Sequence, residues 1–242
     1  MVRGFYTLGS SMMTNTQTLS TISNNIANAE TIGFKKDITH TAAFGDMLVS
    51  RLDSEINPLG NMSLVRIAQE NDTIHSQGTI KETGRNLDFA ITGSGFFGIN
   101  TGNGIAYTRN GSFSIDNEGY LVLKDVGRVI GQDGEIYIGT DEFTADSYGN
   151  LSINGALIDK IQVYDFEDYN NLEKAGEGLY TGQGAFVNPT PNLIWKALEG
   201  SNVDMVEELT NAISATRNLQ SCSQVLQMYD VVLSKAVEIG KL

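Results

Sequence analysis

An uncharged heptad pattern near the start of the chain limits the possible folds more than any other feature. Apolar residues recur at alternating spacings of three and four, with Asn15 as the one polar member. This spacing predicts a helix with a coiled-coil seam. Gly33 predicts its end near Glu30, which gives a helix roughly 40 Å long. The seam consists of Phe5, Leu8, Met12, Asn15, Leu19, Ile22 and Ile26.

The other faces of this helix carry no charge. No Asp, Glu, Lys or Arg occurs between Arg3 and Glu30, and the outward positions are polar residues such as Thr14, Thr21 and Asn25. A solvated helix normally carries charges on its outer face, and these polar residues are mediocre helix formers. We therefore expect a helix that is unstable alone and covered on most sides when it forms. A packed assembly supplies such cover more readily than a single soluble domain.

The end of the chain predicts a second helix, over Val203–Ile239. The stretch Ser201–Asp204 offers an N-cap and an acid for the first turn. The apolar residues follow one heptad phase as far as Thr216 and another from Cys222, so the apolar arc is wider than one partner needs. Ordinary core packing is the alternative, but the uncharged first helix favours contacts with several neighbours. The candidate assembly contacts of this helix are Val206, Leu209, Ile213, Val225, Leu226, Tyr229, Val232, Leu233 and Ala236. Asn28, at the end of the first helix, is a further candidate.

The middle of the chain reads as an all-β domain. Glycine is abundant at 26 residues and proline rare at 3, and short alternating runs lie between turn dipeptides. We predict an α+β protein in which terminal helices form a coiled-coil module around a central all-β domain. The predicted turns are Asn103-Gly104, Asn110-Gly111, Asp133-Gly134 and Asn154-Gly155. The predicted strands are Phe89–Thr92, Phe96–Ile99, Ile105–Thr108, Ser112–Ile115, Tyr120–Leu123, Glu135–Ile138 and Lys160–Tyr164.

The expected division of the chain follows from these patterns. The N-terminal helix occupies residues 1–34 and the C-terminal helix residues 201–242. A partly extended connecting arm spans 35–88, the β-rich domain 89–185 and a return connection 186–200. Within the arm, Met47–Gln69 is either extended or a short helix and strand.

Composition argues against several classes of function. The formal charge is −13 and the pI about 4.5, so the surface repels nucleic acids and anionic membranes. Cys222 is the one cysteine, which excludes an internal disulfide and a cysteine zinc site, and we expect it to be a small buried apolar residue. His40 and His75 have no partner at metal-ligand spacing. No secretory or membrane-spanning run is visible. We expect no metal, no cofactor, no catalytic residues and no membrane insertion.

One weak motif supports a rival, enzymatic hypothesis. Gly93–Gly98 matches the dinucleotide pattern G-x-G-x-x-G, which requires a helix that begins at these glycines. The residues that follow are strand-like, so a tight turn before a core strand fits better. Asp116–Gly119 reads as an acidic hairpin turn, because it lacks the register of a calcium loop. Arg109 either bridges to an acidic neighbour or lies solvated in its loop. A third class, an adhesin or sugar-binding module, would need exposed aromatic residues on one β face.

The chain resembles the bacterial flagellar rod and hook proteins. The resemblance starts with Asn24–Lys36 (NNIANAETIGFKK), which is similar to that family's N-terminal signature. Ala90–Phe97 (AITGSGFF), Tyr107–Phe113 (YTRNGSF) and Asn117–Val122 (NEGYLV) resemble its β domain, and Glu199–Asn211 (EGSNVDMVEELTN) its C-terminal motif. The matches span nearly the whole chain in the family's order. Phe44–Leu48 and His75–Gly78 favour the distal rod protein, although the proximal one stays open because the chain is short. The hook protein, which is normally longer, and other axial proteins are further alternatives.

This resemblance implies a structural subunit and not an enzyme. The terminal helices would pair into an inner tube, with the β domain outside it. Subunits would stack helically, as a homo-oligomer, into a hollow drive shaft in the periplasmic part of the basal body. The implied partners are other rod proteins, the hook protein and the surrounding rings. Export would use the flagellar type III apparatus, without a cleaved signal peptide.

Overall fold

The computed structural model describes residues 2–52, 56–102, 104–176 and 178–240, and the side chains among them except those of residues 2–3 and 43–70. The predicted α+β class is confirmed, because a helix near each end flanks a β-rich middle. The chain divides into two compact units. Unit 1 comprises Met1–Ala27, Asp37–Ile74 and Asp204–Leu242, and unit 2 comprises Asn28–Lys36 and His75–Val203.

Unit 1 contains the two long helices, α1 and α2, and a long hairpin of β1 and β2. Helix α1 ends before the predicted position near Glu30, because Asn28 accepts a hydrogen bond from the Thr31 amide at 3.2 Å and closes a turn. Asp204 is the N-cap of α2 and accepts from the amides of the second and third residues that follow it. Neither helix is long and apolar enough to span a lipid bilayer, within the described residues. The bounds are α1 Val2–Ala27, β1 Asp37–Leu52, β2 Ile56–Thr73 and α2 Met205–Ile239.

The hairpin decides between the two interpretations of the connecting arm. Strands β1 and β2 pair antiparallel, and the described part of Met47–Gln69 lies in them, so this stretch is extended. The register shifts near Thr39 and near Val49, which marks two irregular points in the ladder. At about 3.3 Å per residue, a ribbon of this kind is roughly 50 Å long.

The uncharged polar face of α1 is covered partly within the chain. Asn25 is 1% exposed, and its side chain donates to the Asp37 carbonyl and accepts from the Asp37 amide, at 2.9 and 3.0 Å. Thr21 is also buried, with its hydroxyl 2.7 Å from that of Thr39 in β1. We expected a packed assembly to supply such cover more readily, but at these two positions the cover comes from within the chain. Buried hydroxyl and amide groups need partners, and the hairpin supplies them.

Unit 2 is built from short antiparallel strands. The main sheet has the order β15-β16-β6-β5-β9-β8-β7, with β10 beside β9 and with β14 between β5 and β17. Smaller sheets contain β11-β12-β13, β18-β4 and β19-β3. The strands are β3 Ile80–Glu82, β4 Phe89–Ile91, β5 Phe96–Asn100, β6 Ile105–Thr108, β7 Phe113–Ile115, β8 Leu121–Leu123, β9 Gly127–Gly131, β10 Gly134–Glu135, β11 Thr144–Ala145, β12 Asn150–Ile153, β13 Ala156–Lys160, β14 Val163–Asp165, β15 Leu172–Gly176, β16 Leu179–Gly182, β17 Phe186–Val187, β18 Leu193–Trp195 and β19 Ala197–Glu199, with a short 3-10 helix at Tyr169–Asn171.

Most predicted strands of the middle are confirmed, and two are wrong in extent. The strand predicted at Glu135–Ile138 stops at Glu135, although Ile136 and Ile138 are still buried in the core. The strand predicted at Lys160–Tyr164 is two strands, because β13 ends at Lys160 in the sheet of β12, and β14 begins at Val163 in the main sheet.

The turn dipeptides behave differently from one another. Asn154-Gly155 joins β12 to β13, with φ of 53° and 82°, as a two-residue hairpin turn requires. At Asp133-Gly134 the turn between β9 and β10 is Gln132-Asp133, and Gly134 already pairs with Gly131 as the first residue of β10. Asn110-Gly111 joins no hairpin, since β6 and β7 do not pair with each other. For the remaining dipeptide, Asn103 lies outside the described residues.

Candidate assembly surfaces and a buried charge cluster

Helix α1 carries the seven residues of the predicted seam, and their exposure differs along the helix. Phe5 is exposed near the start, whereas Ile22 is only 7% exposed and is therefore packed within the chain. The other five, Leu8, Met12, Asn15, Leu19 and Ile26, are half-buried, as is the candidate Asn28 in unit 2. The apolar surface that α1 leaves available to another molecule therefore lies mainly in its first half.

Helix α2 exposes most of the predicted contact residues. Leu226 and Tyr229 are half-buried, and a Cβ atom on Gly4 of α1 would lie 2.5 Å from the Tyr229 hydroxyl oxygen, so the two helices touch there. Among the residues of α2 that the structure describes, Glu208 and Ala215 are the buried ones. The exposed candidates are Val206, Leu209, Ile213, Val225, Val232, Leu233 and Ala236.

The predicted stripes missed several exposed apolar residues. On α1, Met13 is 77% exposed and Tyr6 is also exposed, although both lie off the heptad seam. On α2, residues 218–229 carry no charge, a signal like that of α1 that sequence analysis could have found. Helix α2 therefore presents apolar and neutral surface on more than one side. The missed residues of α2 are Met205, Met228, Val231 and Val237.

A cluster of three charged side chains lies buried in unit 2. Glu199 and Lys35 have fully buried side chains, and their Oε1 and Nζ atoms are 2.5 Å apart. Arg109 is 3% exposed, and its Nη1 lies 3.0 Å from the second Glu199 oxygen. Arg109 therefore bridges to an acidic residue and is not solvated in its loop. We call these three residues the Glu199 cluster.

Backbone groups complete the Glu199 cluster. The Lys35 ammonium also donates to the Ser76 carbonyl at 2.7 Å, and the Gly78 amide donates to Glu199 Oε1 at 2.8 Å. Arg109 donates from Nη2 to the Gly93 carbonyl at 2.7 Å. Buried charges are tolerated when they are paired and hydrogen-bonded in this way.

Two glycines permit the close approach of chain segments at this cluster. Gly33 has a φ of 69°, and a Cβ there would lie 2.5 Å from the Arg109 carbonyl carbon. A Cβ on Gly78 would lie 2.0 Å from the Gly200 oxygen. Both contacts are with backbone atoms, so larger residues would force the chain segments apart.

Burial acts strongly on Lys35. Burial lowers the pKa of its ammonium group below the ordinary value of 10.5, while the hydrogen bond and the charge of Glu199 oppose that shift. Sequence analysis named Arg109 as a possible bridge but not its partner. Lys35 and Glu199 stand in the motifs of the resemblance, yet neither carried a predicted role.

The glycine run that supported a nucleotide site does not have the required geometry. Residues Phe96–Asn100 form strand β5, so no helix begins at Gly93–Gly98. A Cβ on Gly98 would lie 2.5 Å from the Tyr164 ring, so this glycine makes room for an aromatic side chain. The rival enzymatic hypothesis needs a helix that begins at these glycines, and it is wrong because a strand follows them.

The other residues considered for chemistry have ordinary surroundings. His40 lies 3.1 Å from Asp72, and His75 stacks on Tyr169 with ring centroids 5.0 Å apart. Asp116 accepts from the amides of the second and fourth residues after it, which confirms an acidic turn. Cys222 is half-buried in α2. In the part of the chain that the structure describes, no three His, Cys, Asp or Glu side chains are grouped to hold a metal ion.

Acid should weaken unit 2 through Asp165. Burial acts to raise its pKa, but hydrogen bonds from Ser94, Tyr169 and the Phe166 amide, with the charge of Arg109, lower the pKa below 3.8. A carboxyl group whose pKa is lowered by folding stabilises the folded state at pH values above its unfolded pKa. That stabilisation is lost as the pH falls through the folded pKa. At pH values below about 4, we expect the urea concentration at the unfolding midpoint of unit 2 to decrease. In Asp165→Asn this decrease should be smaller.

The measurement would follow the single tryptophan, Trp195, whose indole donates to the Asn86 carbonyl at 2.7 Å within unit 2. Asp141→Asn, at an exposed carboxyl of the same unit, is the matched control. An identical acid response in Asp165→Asn and the parent chain would contradict the assignment.

Comparisons with known proteins point in one direction. Residues 5–35 match the family model described as flagella basal body rod protein. Residues 90–156 match the D1 domain of flagellar hook protein FlgE/F/G, and residues 196–239 match the C-terminal region of flagellar basal body rod FlgEFG protein.

Full-length relatives are similar to the chain along its whole length. The flagellar basal-body rod protein FlgG of Bacillus subtilis is 37% identical, over 100% of each chain. The flagellar hook-basal body complex protein FlhO of the same organism is 29% identical over the same coverage. FlgF of Caulobacter vibrioides is 30% identical, over 96% of each chain.

Proposed function

The chain belongs to the family of flagellar basal-body rod proteins and is a structural subunit of the rod, and from this premise we propose that it polymerises helically through its terminal helices into a hollow shaft. It is not an enzyme, because the family is structural. The observation that carries the proposal is the exposed apolar surface along α2, a helix of 35 residues with Glu208 and Ala215 as its described buried residues.

The proposed contacts combine both helices. Apolar surface of this extent on a soluble chain indicates an interaction site. Sister subunits supply matching surface, since helical stacking buries the same stripes at every copy. The proposed contact residues are Phe5, Leu8, Met12, Asn15, Leu19, Ile22, Ile26, Asn28, Val206, Leu209, Ile213, Val225, Leu226, Tyr229, Val232, Leu233 and Ala236.

The proposal extends to position and neighbours. As the motifs Phe44–Leu48 and His75–Gly78 suggest, the proposed position is that of the distal rod protein, with the proximal one as the alternative. In that position the shaft lies in the periplasmic part of the basal body and carries torque towards the hook. Its neighbours are other rod proteins, the hook protein and the surrounding rings, and its export uses the flagellar type III apparatus.

Assembly and helix formation should be linked. Isolated helices are marginal in water, and α1 is rich in Ser, Thr and Asn. We expect both helices to be largely unfolded in dilute monomer and to form as neighbours bury their stripes. Circular dichroism and sedimentation across a concentration series should therefore show helix content rising with polymer. Electron micrographs of the concentrated protein should show rods or tubes.

Two results would count against this proposal. Full helix content in dilute monomer would contradict the linked folding. The absence of any polymer at high concentration, with unit 2 folded by Trp195 fluorescence, would contradict helical self-assembly by this chain alone.

A further inference from the structure

Four peptide links join unit 1 to unit 2. They follow Ala27, Lys36, Ile74 and Val203. In unit 2 they border three segments: Asn28–Lys36, the start of His75–Val203 and its end. The course of these segments determines where each link leaves the β-rich unit.

All three segments meet at the Glu199 cluster. The first is tied by Lys35 to Glu199, and by the Gly33 amide, which donates to the Glu199 carbonyl at 2.8 Å. The second is tied by the Gly78 amide to the Glu199 carboxylate. The third contains Glu199 itself.

A second layer of hydrogen bonds surrounds this point. Asn202 accepts from the Lys36 amide at 2.7 Å and donates to the Ser76 carbonyl at 3.2 Å. The Gly200 amide donates to the Thr79 carbonyl at 2.9 Å. The residues beside three of the links, those after Lys36, Ile74 and Val203, are thus bonded to each other within unit 2, and one carboxylate lies at the centre.

Resting on the proposed function, we propose that Glu199, held by Lys35, is the positioning residue for assembly. It fixes the paths of the links that lead to the assembling helices, although it is buried in another unit. Apolar contact is non-directional, whereas charge-assisted hydrogen bonds hold donors and acceptors in a defined geometry. A helical polymer needs the same geometry in every subunit. Links with a defined path help to give every subunit that geometry.

Lys35→Met tests this role without leaving a buried charge unpaired. Methionine has similar length and no charge, and Arg109 still balances Glu199 at 3.0 Å. We expect unit 2 to stay folded by Trp195 fluorescence. In the monomer, amide hydrogen exchange at Gly33 should accelerate by about ten- to a hundredfold, as loss of a charge-assisted hydrogen bond allows. The yield of sedimentable polymer should fall by a similar factor.

Leu151→Ala is the matched control, because Leu151 is fully buried in the core of the same unit. It should lower the unfolding midpoint and accelerate exchange throughout the main sheet, with polymer yield unchanged while the unit is folded. Selective acceleration at Gly33 in Lys35→Met, with loss of polymer, supports the proposal.

Two outcomes overturn the inference, and they differ from failure of the proposed function. Normal polymer yield from Lys35→Met shows that Glu199 positions nothing that assembly needs. Unchanged exchange at Gly33 shows that the link segment is not held by this pair. If the parent chain forms no polymer at all, the proposed function fails, while the exchange measurement on monomer still decides whether Lys35 and Glu199 fix the segment.

Discussion

Ile213→Asp is expected to abolish polymerisation and to leave the monomer almost as stable as before. Ile213 is 55% exposed in α2, so its replacement stays in water in a single chain, where surface changes usually cost within about 0.5 kcal/mol. In the polymer, the same carboxylate would be buried without a partner, at a cost of several kcal/mol. Because every subunit carries the change, the cost recurs at every contact. Sedimentation and electron microscopy would measure the loss.

The matched control is Ser234→Asp, an exposed polar position on the same helix. It lies in a stretch that already carries Asp230 and Lys235, so a further charge there should be tolerated. Ile22→Asp is a poorer test, because Ile22 is 7% exposed and its change would disturb packing inside each subunit as well as contacts between subunits. If Ile213→Asp forms polymer at normal yield, the exposed face of α2 around Ile213 does not contact neighbouring subunits.

Glu199→Gln is expected to cause the largest loss of stability in unit 2. It leaves the buried cations Lys35 and Arg109 without the anion that pairs with both of them. Breaking a buried pair by removal of one partner typically costs about 3–5 kcal/mol, because an uncompensated charge stays behind. Urea unfolding followed at Trp195 would measure the difference.

A double-mutant cycle separates this pairing from general disruption. Lys35→Met together with Glu199→Gln removes one of the two stranded cations, so the double variant should lose less stability than the sum of the singles. Additive losses would show that the two residues do not interact energetically. A cost for Glu199→Gln alone below about 1 kcal/mol would show that the buried charges matter little.

The sequence contained enough information for the class of fold but not for its internal contacts. The heptad spacing and the turn dipeptides are local signals, so α1, α2 and most strands of the middle could be predicted from them. The burial of Thr21 and Asn25 could not, because it depends on a hairpin whose position along α1 is set by tertiary packing. Their lack of charge was visible, but it did not say what would cover them.

The buried charge cluster shows the same limit. Lys35 and Glu199 are 164 residues apart in the chain, and no periodicity connects them. Each looks like an ordinary surface charge in its own segment. Only the strand pairing that brings Ile80 beside Glu199 makes the meeting evident. The exposed apolar residues of α2, by contrast, were partly predictable, because a helix repeats every 3.6 residues.

The pairing of β3 with β19 has a consequence for how such a protein can be modified. Thr79 lies just before β3 and Gly200 just after β19, and the Gly200 amide donates to the Thr79 carbonyl at 2.9 Å. Everything between these neighbouring strands is therefore an insertion whose size does not alter the distance between its ends. A foreign domain with adjacent termini could be grafted there, provided that it offers a cation where Arg109 now stands. Larger or smaller inserted domains would then share one unchanged pair of strand ends.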